Sequence, residues 1–371
     1  MIIGVPKEIK NHEYRVGIVP DTVRQLAHKG HDILIEKGAG LGSFITDDTF
    51  VQAGAAIIET PQEIYSRADM IVKVKEPLPS EYSLIRPGQI IFTFFHFASS
   101  RELTDAMIKS RATCISYETI EKADHSLPVL APMSEIAGRL SVQEGAKYLE
   151  RAQGGRGVLL GGVPGVQPGT VVIVGAGVVG TQAALMAAGL QADVYLFDIN
   201  LERLRFLSLI LPKNITLLYP DHYTRYELIK KADLLIGAVL VPGARAPNLV
   251  TREMLGFMKK QSVIVDVAID QGGCVETSRP TTHDDPIYVE EDIVHYCVAN
   301  MPGAVPCTST QALNIASSPY ILQIADMGLD ACRKNMEIRK GLNIYDGRIT
   351  YSPVAEAFGY EYVTIENALS F

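Results

Sequence analysis

VVIVGAGVVG (residues 171–180), followed by TQAALMAAGLQADVYLFD (181–198), decides how this chain is read. Val171, Val172, Ile173 and Val174 form an unbroken β-branched apolar run, the mark of a strand buried on both faces of a parallel sheet. Gly175, Gly177 and Gly180 then stand in the GxGxxG spacing. In such a turn the first glycine makes the bend, the second admits a pyrophosphate to the backbone, and the third lets the next helix pack on the strand. The Ala-rich segment that follows supplies that helix, and its first amides, those of Val178 and Val179 among them, face the phosphates. A second strand, DVYLF (193–197), ends on Asp198, 18 residues beyond Gly180. A carboxylate at that place accepts hydrogen bonds from a ribose 2′-hydroxyl. The glycine spacing alone is often an ordinary turn; strand, glycines, helix, strand and acid together predict a dinucleotide site. Arg203, five residues further on, could pair with a 2′-phosphate but is free to swing to solvent.

The bulk numbers narrow the class. A length of 371 residues suggests two domains, and a hydrophobic content of 47% is enough to build two cores. With 42 acidic against 34 basic residues the net charge is −8, which argues against a nucleic-acid footprint. No Lys/Arg run suggests an anionic membrane, and the longest apolar runs, such as IIFTFF (90–95), are too short to span a bilayer. The opening MIIGVPKEIK lacks the apolar core of a signal peptide. Five cysteines are scattered without a CxxC pair, which predicts free thiols in a reducing cytoplasm and neither a disulfide frame nor a metal site.

Along the chain, strands are expected at 2–5, 32–36, 56–59, 70–75, 90–95 and 114–116, alternating with helices. Ser99 and Glu102 read as a capping box opening the helix RELTDAMIKS (101–110). Residues 133–152 read as one long helix with Ser134 as its N-cap. Further strands are expected at 215–218, 234–237 and 263–268, a helix over 307–335 broken at Pro319, and a tight Asp346-Gly347 turn between short strands. Strands alternating with helices predict an α/β chain of two Rossmann-like doubly wound domains. The dinucleotide unit is internal, and residues 307–371 are too few for a domain of their own. The expected division is therefore a discontinuous substrate domain, 1–130 with 307–371, and an NAD-binding domain, 131–306, with a cleft between them.

Ligands of open α/β sheets lie beyond the carboxyl ends of the strands, so polar residues at such ends are the candidates. Lys75 ends MIVKVK (70–75), His96 follows IIFTFF, Asp270 follows VIVDVAI (263–269), Asn300 follows HYCVA (295–299), and Arg15 lies in the loop after the first strand. Each has a bland alternative: a solvated edge lysine, a satisfied buried histidine, a turn aspartate, a surface ion pair of Arg15 with Glu8 or Glu13. Taken together they suit a small carboxylate substrate, with Arg15 able to clamp it through two parallel hydrogen bonds and Lys75 beside it. His96, with an ordinary pKa near ~6.5, suits proton removal from an alcohol or amine while hydride leaves. Asp270 supplies a second proton-transfer group. These residues leave two substrate classes open, 2-hydroxy acids and 2-amino acids.

GVPKEIKNHEYRV (4–16), VKVKEP (72–77), residues 171–198, DVAIDQGGCVETSRPTTH (266–283) and HYCVANMPGAVP (295–306) resemble the alanine dehydrogenase family, and the resemblance runs over nearly the whole chain. It implies oxidation of L-alanine by NAD to pyruvate and ammonium, with Arg15 and Lys75 binding substrate and His96 and Asp270 as acid/base groups. It implies NAD contacts from Ser134, from the glycine turn, from Asp198, Arg203, Val239, Leu240 and Arg279, and from two short segments. These are Val267, Ala268, Ile269 and Asp270, and then Val298, Ala299, Asn300 and Met301. It also implies a homohexamer with no metal. His12, Gly17, Gln182 and Cys307 depart from the family's usual residues, and Pro220 stands in place of a cofactor-contacting serine. The alternative is the soluble NAD(H)-binding component of a proton-translocating transhydrogenase, which needs membrane segments in this chain or a partner. A non-catalytic NAD sensor is a third. Neither needs the Lys75, His96 and Asp270 set.

Overall fold

A computed structural model describes residues 1–239 and 247–369. In chain order the strands are β1 (Ile2–Val5), β2 (Asp32–Glu36), β3 (Ala56–Ile58), β4 (Met70–Val72), β5 (Ile90–Thr93), β6 (Thr113–Ser116), β7 (Thr170–Val174), β8 (Asp193–Phe197), β9 (Ile215–Leu218), β10 (Leu234–Gly237), β11 (Val263–Asp266), β12 (Ile287–Glu290), β13 (Ile293–Tyr296), β14 (Leu342–Tyr345) and β15 (Arg348–Ile349). They form two sheets, ordered β15-β14-β6-β5-β4-β1-β2-β3 and β12-β13-β11-β10-β7-β8-β9. All neighbours are parallel except the added edge strands, β14 and β15 in the first sheet and β12 in the second. Each parallel core starts in the middle, runs outward to one edge, then crosses back beyond its first strand. Both sheets are therefore doubly wound, with switch points between β1 and β4 and between β7 and β10.

By packing, the chain divides into two compact units: residues 1–133 with 303–371, which hold the first sheet, and residues 134–302, which hold the second. Strands β4, β5, β6, β10 and β11 are buried along their whole length. Continuous apolar sequence is what a parallel sheet covered on both faces demands. One core gathers Ile64, Tyr65, Ile91, Phe95 and Phe97 under the first sheet, another Val172, Phe197, Leu235, Ile264 and Val275 under the second.

Four local expectations are corrected. The cap of the helix Arg101–Ser110 is Ser100, whose side chain accepts from Leu103 N–H at 3.2 Å. Ser99 instead donates its hydroxyl to the His96 carbonyl at 2.7 Å. The helix Ala131–Tyr148 starts three residues before Ser134, which therefore lies inside its first turn. Helix Pro306–Met327 passes through Pro319 unbroken and stops at Gly328, whose φ is +56°. The carbonyl that Pro319 leaves without a donor belongs to Ile315, which is 76% exposed, so water can take the place of the missing amide. Strands expected at 70–75, 90–95 and 263–268 end two or three residues early, and the chain beyond them turns to carry the polar candidates. The Asp346-Gly347 turn is as read, with φ of 47° and 78° between β14 and β15.

Candidate active site

On the first unit the candidates gather beyond the carboxyl ends of β1, β4 and β5. Arg15 is only 2% exposed. Its Nε and Nη2 donate to the two carboxylate oxygens of Glu13 at 2.7 and 2.5 Å, and Nη1 approaches Met133 Sδ at 3.1 Å. The pairing with Glu13 is thus present, but inside the protein, where it fixes the plane of the guanidinium. Gly42 explains how this loop is held: a Cβ there would lie 2.5 Å from the Tyr14 carbonyl oxygen. The glycine-rich turn at 38–42 lies against Tyr14 for that reason, and with residues 7–15 it lines a recess of about 370 Å³. Arg15 lines this recess; Lys75 and His96 do not.

Lys75 is 9% exposed and lies three residues past β4. Its amide, at 3.4 Å, and that of Val74, at 2.6 Å, donate to Glu8 Oε1, while its carbonyl accepts from Thr93 Oγ1 at 2.9 Å. Behind it, Lys73 Nζ lies 3.2 Å from Glu8 Oε2 and 3.0 Å from Glu81 Oε1, and Glu81 accepts from the Tyr65 hydroxyl at 2.9 Å. Burial pushes the Glu8 carboxyl up to about 7 against the pull of Lys73. Burial lowers Lys73, but Glu8 and Glu81 outweigh it and leave the ammonium above its ordinary value. In VKVK, then, Lys73 belongs to a buried ion network and Lys75 is the lysine that the network braces. A buried ion pair is weak evidence for stability but strong geometric constraint, because removing one partner costs about 3–5 kcal/mol.

His96 lies three residues past β5 with left-handed backbone, φ 50° and ψ 44°. Its ring is stacked on Phe94, with centroids 5.8 Å apart and planes 5° off parallel. The side chain is exposed, so it is not a satisfied core histidine. Desolvation first, then the charges of Lys75 and Lys10, lower its pKa from the ordinary 6.5. Solvent access moderates this shift, but its direction leaves the imidazole neutral and able to accept a proton at neutral pH.

On the second unit the three glycines do three different things. Gly175 has φ +102°, and its amide donates to the Phe197 carbonyl at 2.8 Å. A Cβ on Gly177 would meet nothing within 4 Å, leaving the backbone open to a ligand. A Cβ on Gly180 would lie 1.8 Å from the Gly175 carbonyl oxygen, so the helix Val178–Gly189 cannot come this close with any other residue there. Gly180→Ala is therefore expected to lower Tm and to weaken NADH binding, since overpacking of this kind costs about 1–3 kcal/mol or more. Thermal unfolding and NADH fluorescence titration check it; wild-type values in both would contradict the packing role.

Asp198 Oδ2 accepts from Ala176 N–H at 2.7 Å and Oδ1 from Asn200 N–H at 2.8 Å, which fixes the carboxylate against the turn. Arg203 is held against the turn. Its Nε donates to the Ala176 carbonyl at 3.0 Å and its Nη2 to Thr181 Oγ1 at 3.1 Å. Val239 packs on Gly175, where a Cβ would come within 3.0 Å of its Cγ2; Leu240 lies outside the described residues. Ser134 shares a helix face with Gly138, one turn on, where a Cβ would lie 2.3 Å from the Val179 carbonyl oxygen. That face is pressed against the first turn of helix Val178–Gly189.

Val267, Ala268, Ile269 and Asp270 form a short 3₁₀ turn, Val267–Gln271, directly after β11. Asp266, fully buried, holds it: Oδ1 accepts from Ala268 N–H at 3.1 Å, and Oδ2 from Cys274 and Val275 N–H at 2.9 and 3.1 Å. Burial raises the Asp266 carboxyl, opposed by hydrogen bonds from Ser278 and those amides. Gly273 (φ +77°) closes the loop where a Cβ would meet Asp266 Oδ2 at 2.8 Å. Asp270 itself is exposed. Arg279 lies over the Tyr288 ring at 4.0 Å, and the Tyr288 hydroxyl accepts from Arg279 N–H at 2.9 Å and donates to the Thr277 carbonyl at 2.8 Å. Val298 pairs with Thr281, Ala299 N–H donates to the Thr281 carbonyl at 3.2 Å, Asn300 is left-handed at φ 62°, and Met301 is buried.

Several of these partners escape the strand-end search. Lys73, Asp266 and Tyr288 do not lie beyond the carboxyl end of an expected strand, and Glu8 and Glu13 read from sequence only as possible ion-pair partners of Arg15. Asp266 and Lys73 do leave a signal: a charge inside an apolar strand run must be paired. Tyr288 leaves none.

Two doubly wound sheets, one with a glycine turn closed by a strand-end carboxylate, define a dinucleotide-binding α/β protein. Family models described as the N-terminal and C-terminal domains of alanine dehydrogenase/PNT match residues 4–137 and 141–352. The chain belongs to the alanine dehydrogenase/PNT family. It is 53% identical to alanine dehydrogenase of Methanococcus maripaludis over 372 residues, covering 100% of each. A solved L-alanine dehydrogenase superimposes with a TM-score of 0.93 at 53% identity, over 97% of this chain and 99% of that one. A transhydrogenase from Sinorhizobium meliloti is also similar, with a TM-score of 0.80 at 26% identity, over 94% and 100%.

Proposed function

We propose that this protein is an NAD-dependent L-alanine dehydrogenase, which converts L-alanine, NAD⁺ and water to pyruvate, ammonium, NADH and a proton. The observation that carries this is full-length likeness to alanine dehydrogenase at 53% identity. Transhydrogenase stays the weaker reading, at 26%.

Arg15, its plane set by Glu13, and Lys75 bind the substrate carboxylate, and Lys75 also polarises the carbonyl oxygen that develops. Neutral His96 accepts a proton from the substrate ammonium and frees the amine. NAD held on the glycine turn would supply the acceptor for the Cα hydride, and the substrate would then be iminopyruvate. Water adds to the imine carbon as His96 and Asp270 take and return protons, and ammonia leaves. Asp198 takes the ribose hydroxyls and favours NAD. The amides after Gly177 would hold the pyrophosphate, with Ser134, Arg203, Val239, Val267, Ala268, Ile269, Arg279, Val298, Ala299, Asn300 and Met301 as the further dinucleotide contacts. A cytoplasmic homohexamer belongs to the same proposal and is supported by the family resemblance. No described helix is long and apolar enough to cross a membrane.

Initial rates of NADH formation test this with L-alanine, L-glutamate and L-leucine. Turnover is expected with L-alanine and little with the other two. One extra methylene shifts specificity by only ~1–3 kcal/mol, so the larger or charged side chains are the sharper comparison. A protein that binds NADH but does not turn over L-alanine contradicts the proposal.

A further inference from the structure

Glu118 is a half-buried carboxylate that the mechanism above does not use. It sits in the 3₁₀ turn Tyr117–Thr119 directly after β6. Strand β6 runs parallel to β5, with Ser116 opposite Thr93, so the chain leaving one strand passes the chain leaving the other. Glu118 reaches across at that point. Its Oε1 accepts from His96 N–H at 2.7 Å and its Oε2 from Phe95 N–H at 3.3 Å. On the other side of the same residue, the His96 carbonyl accepts from Ser99 N–H at 2.9 Å and from Ser99 Oγ at 2.7 Å. Both peptide groups flanking the His96 Cα are therefore held.

This matters because His96 is left-handed, at φ 50° and ψ 44°. A residue with a Cβ persists there only where its surroundings over-determine it. Fixing both peptides fixes the Cα–Cβ direction, and Phe94 then fixes the ring plane by stacking. Glu118 touches the backbone of His96, and no recorded hydrogen bond joins it to the ring. Burial pushes its carboxyl up to about 7, while the two amides and Lys75 pull the other way.

We propose that Glu118 is a positioning residue: by accepting from the amides of Phe95 and His96 it holds His96 left-handed and so aims the imidazole at the substrate. This rests on His96 being the acid/base group. Its competitor is a purely structural tie between the turns after β5 and β6, which would affect folding and binding rather than turnover.

The test uses the full chain as Glu118→Ala, Glu118→Gln, Ser99→Ala and His96→Ala, reading kcat, KM for L-alanine, NADH affinity by fluorescence, and Tm. Glu118→Ala is expected to lower kcat by at least about 10-fold, because small misplacement of a catalytic group is costly to rate, with NADH affinity unchanged. Glu118→Gln keeps an oxygen that can accept from His96 N–H and should regain part of the loss. Ser99→Ala loosens the other peptide and should lower kcat by a smaller factor, which keeps the proposal testable if Glu118→Ala does not fold. Wild-type kcat in a folded Glu118→Ala overturns it, and where that variant does not fold, wild-type kcat in Ser99→Ala does. So does a loss in which Tm, NADH affinity and kcat fall together without rescue by glutamine. Wild-type turnover in His96→Ala would instead overturn the acid/base assignment on which the proposal rests.

Discussion

Replacing His96 by alanine is expected to lower kcat for L-alanine oxidation by at least about 100-fold, and Asp270→Ala to do the same, within the usual range for acid–base groups. The two residues stand in different surroundings. His96 is exposed, stacked on Phe94 and lowered in pKa by desolvation and by Lys75 and Lys10. Asp270 is exposed on a turn that the buried Asp266 holds. Neither side chain contributes to a core, so both variants should fold, and NADH should still bind the glycine turn. The lowered pKa of His96 has a sign that can be read in the rate. The base works as neutral imidazole, so the acid limb of the kcat/KM profile is expected below pH ~6.5. Steady-state kinetics with thermal unfolding of each variant checks this. Near-normal turnover in His96→Ala would return the residue to a structural role.

NAD is expected to be preferred over NADP by at least about 100-fold in kcat/KM, a difference of about 2.7 kcal/mol. Asp198 carries the effect. Its carboxylate is fixed by the amides of Ala176 and Asn200 at 2.7 and 2.8 Å, so it cannot turn away from an approaching 2′-phosphate. A like charge brought into that place costs several kcal/mol. Arg203 is the group that could offset it, but its Nε and Nη2 are engaged by the Ala176 carbonyl and Thr181 Oγ1. Pairing with a phosphate would require those bonds to be remade. Asp198→Ser should narrow the ratio, because the charge goes and the guanidinium remains close to the turn. Both cofactors are to be measured with wild type and variant at one ionic strength. Equal use of NADP by wild type, or a ratio untouched by the substitution, contradicts the place given to Asp198.

What could be read from sequence follows from how local the physics is. The glycine turn is legible because each glycine answers a constraint set within ten residues: a bend, an open approach, a close helix. Strand–helix alternation is legible for the same reason, and both sheets are doubly wound as it predicts. Errors arose where a neighbour in space decides. Pro319 was expected to break its helix, but the carbonyl it leaves unbonded lies at exposed Ile315. Ser99 and Ser100 both suit a cap, and only the course of the chain leaving His96 separates them. Lys73 and Lys75 alternate in one short run; burial between Glu8 and Glu81 singles out the first as structural. Glu118 lies two residues past the strand expected at 114–116, a strand-end position, but its role is not legible, because its partners leave a different strand, 22 and 23 residues earlier. Sequence leaves Arg203 free to pair with a phosphate or swing to solvent, because it gives a long side chain no anchor; the anchors here are a backbone carbonyl and a threonine hydroxyl.

On the proposed mechanism hydride passes directly from Cα of L-alanine to NAD. L-Alanine deuterated at Cα, incubated with the protein and NAD, tests it in one mass-spectrometric measurement of the reduced cofactor. Deuterium is expected in the nicotinamide ring of NADH, with pyruvate and ammonium formed in equal amounts. A protein that binds NAD and leaves the labelled alanine intact, or that yields NADH without the label, contradicts the account.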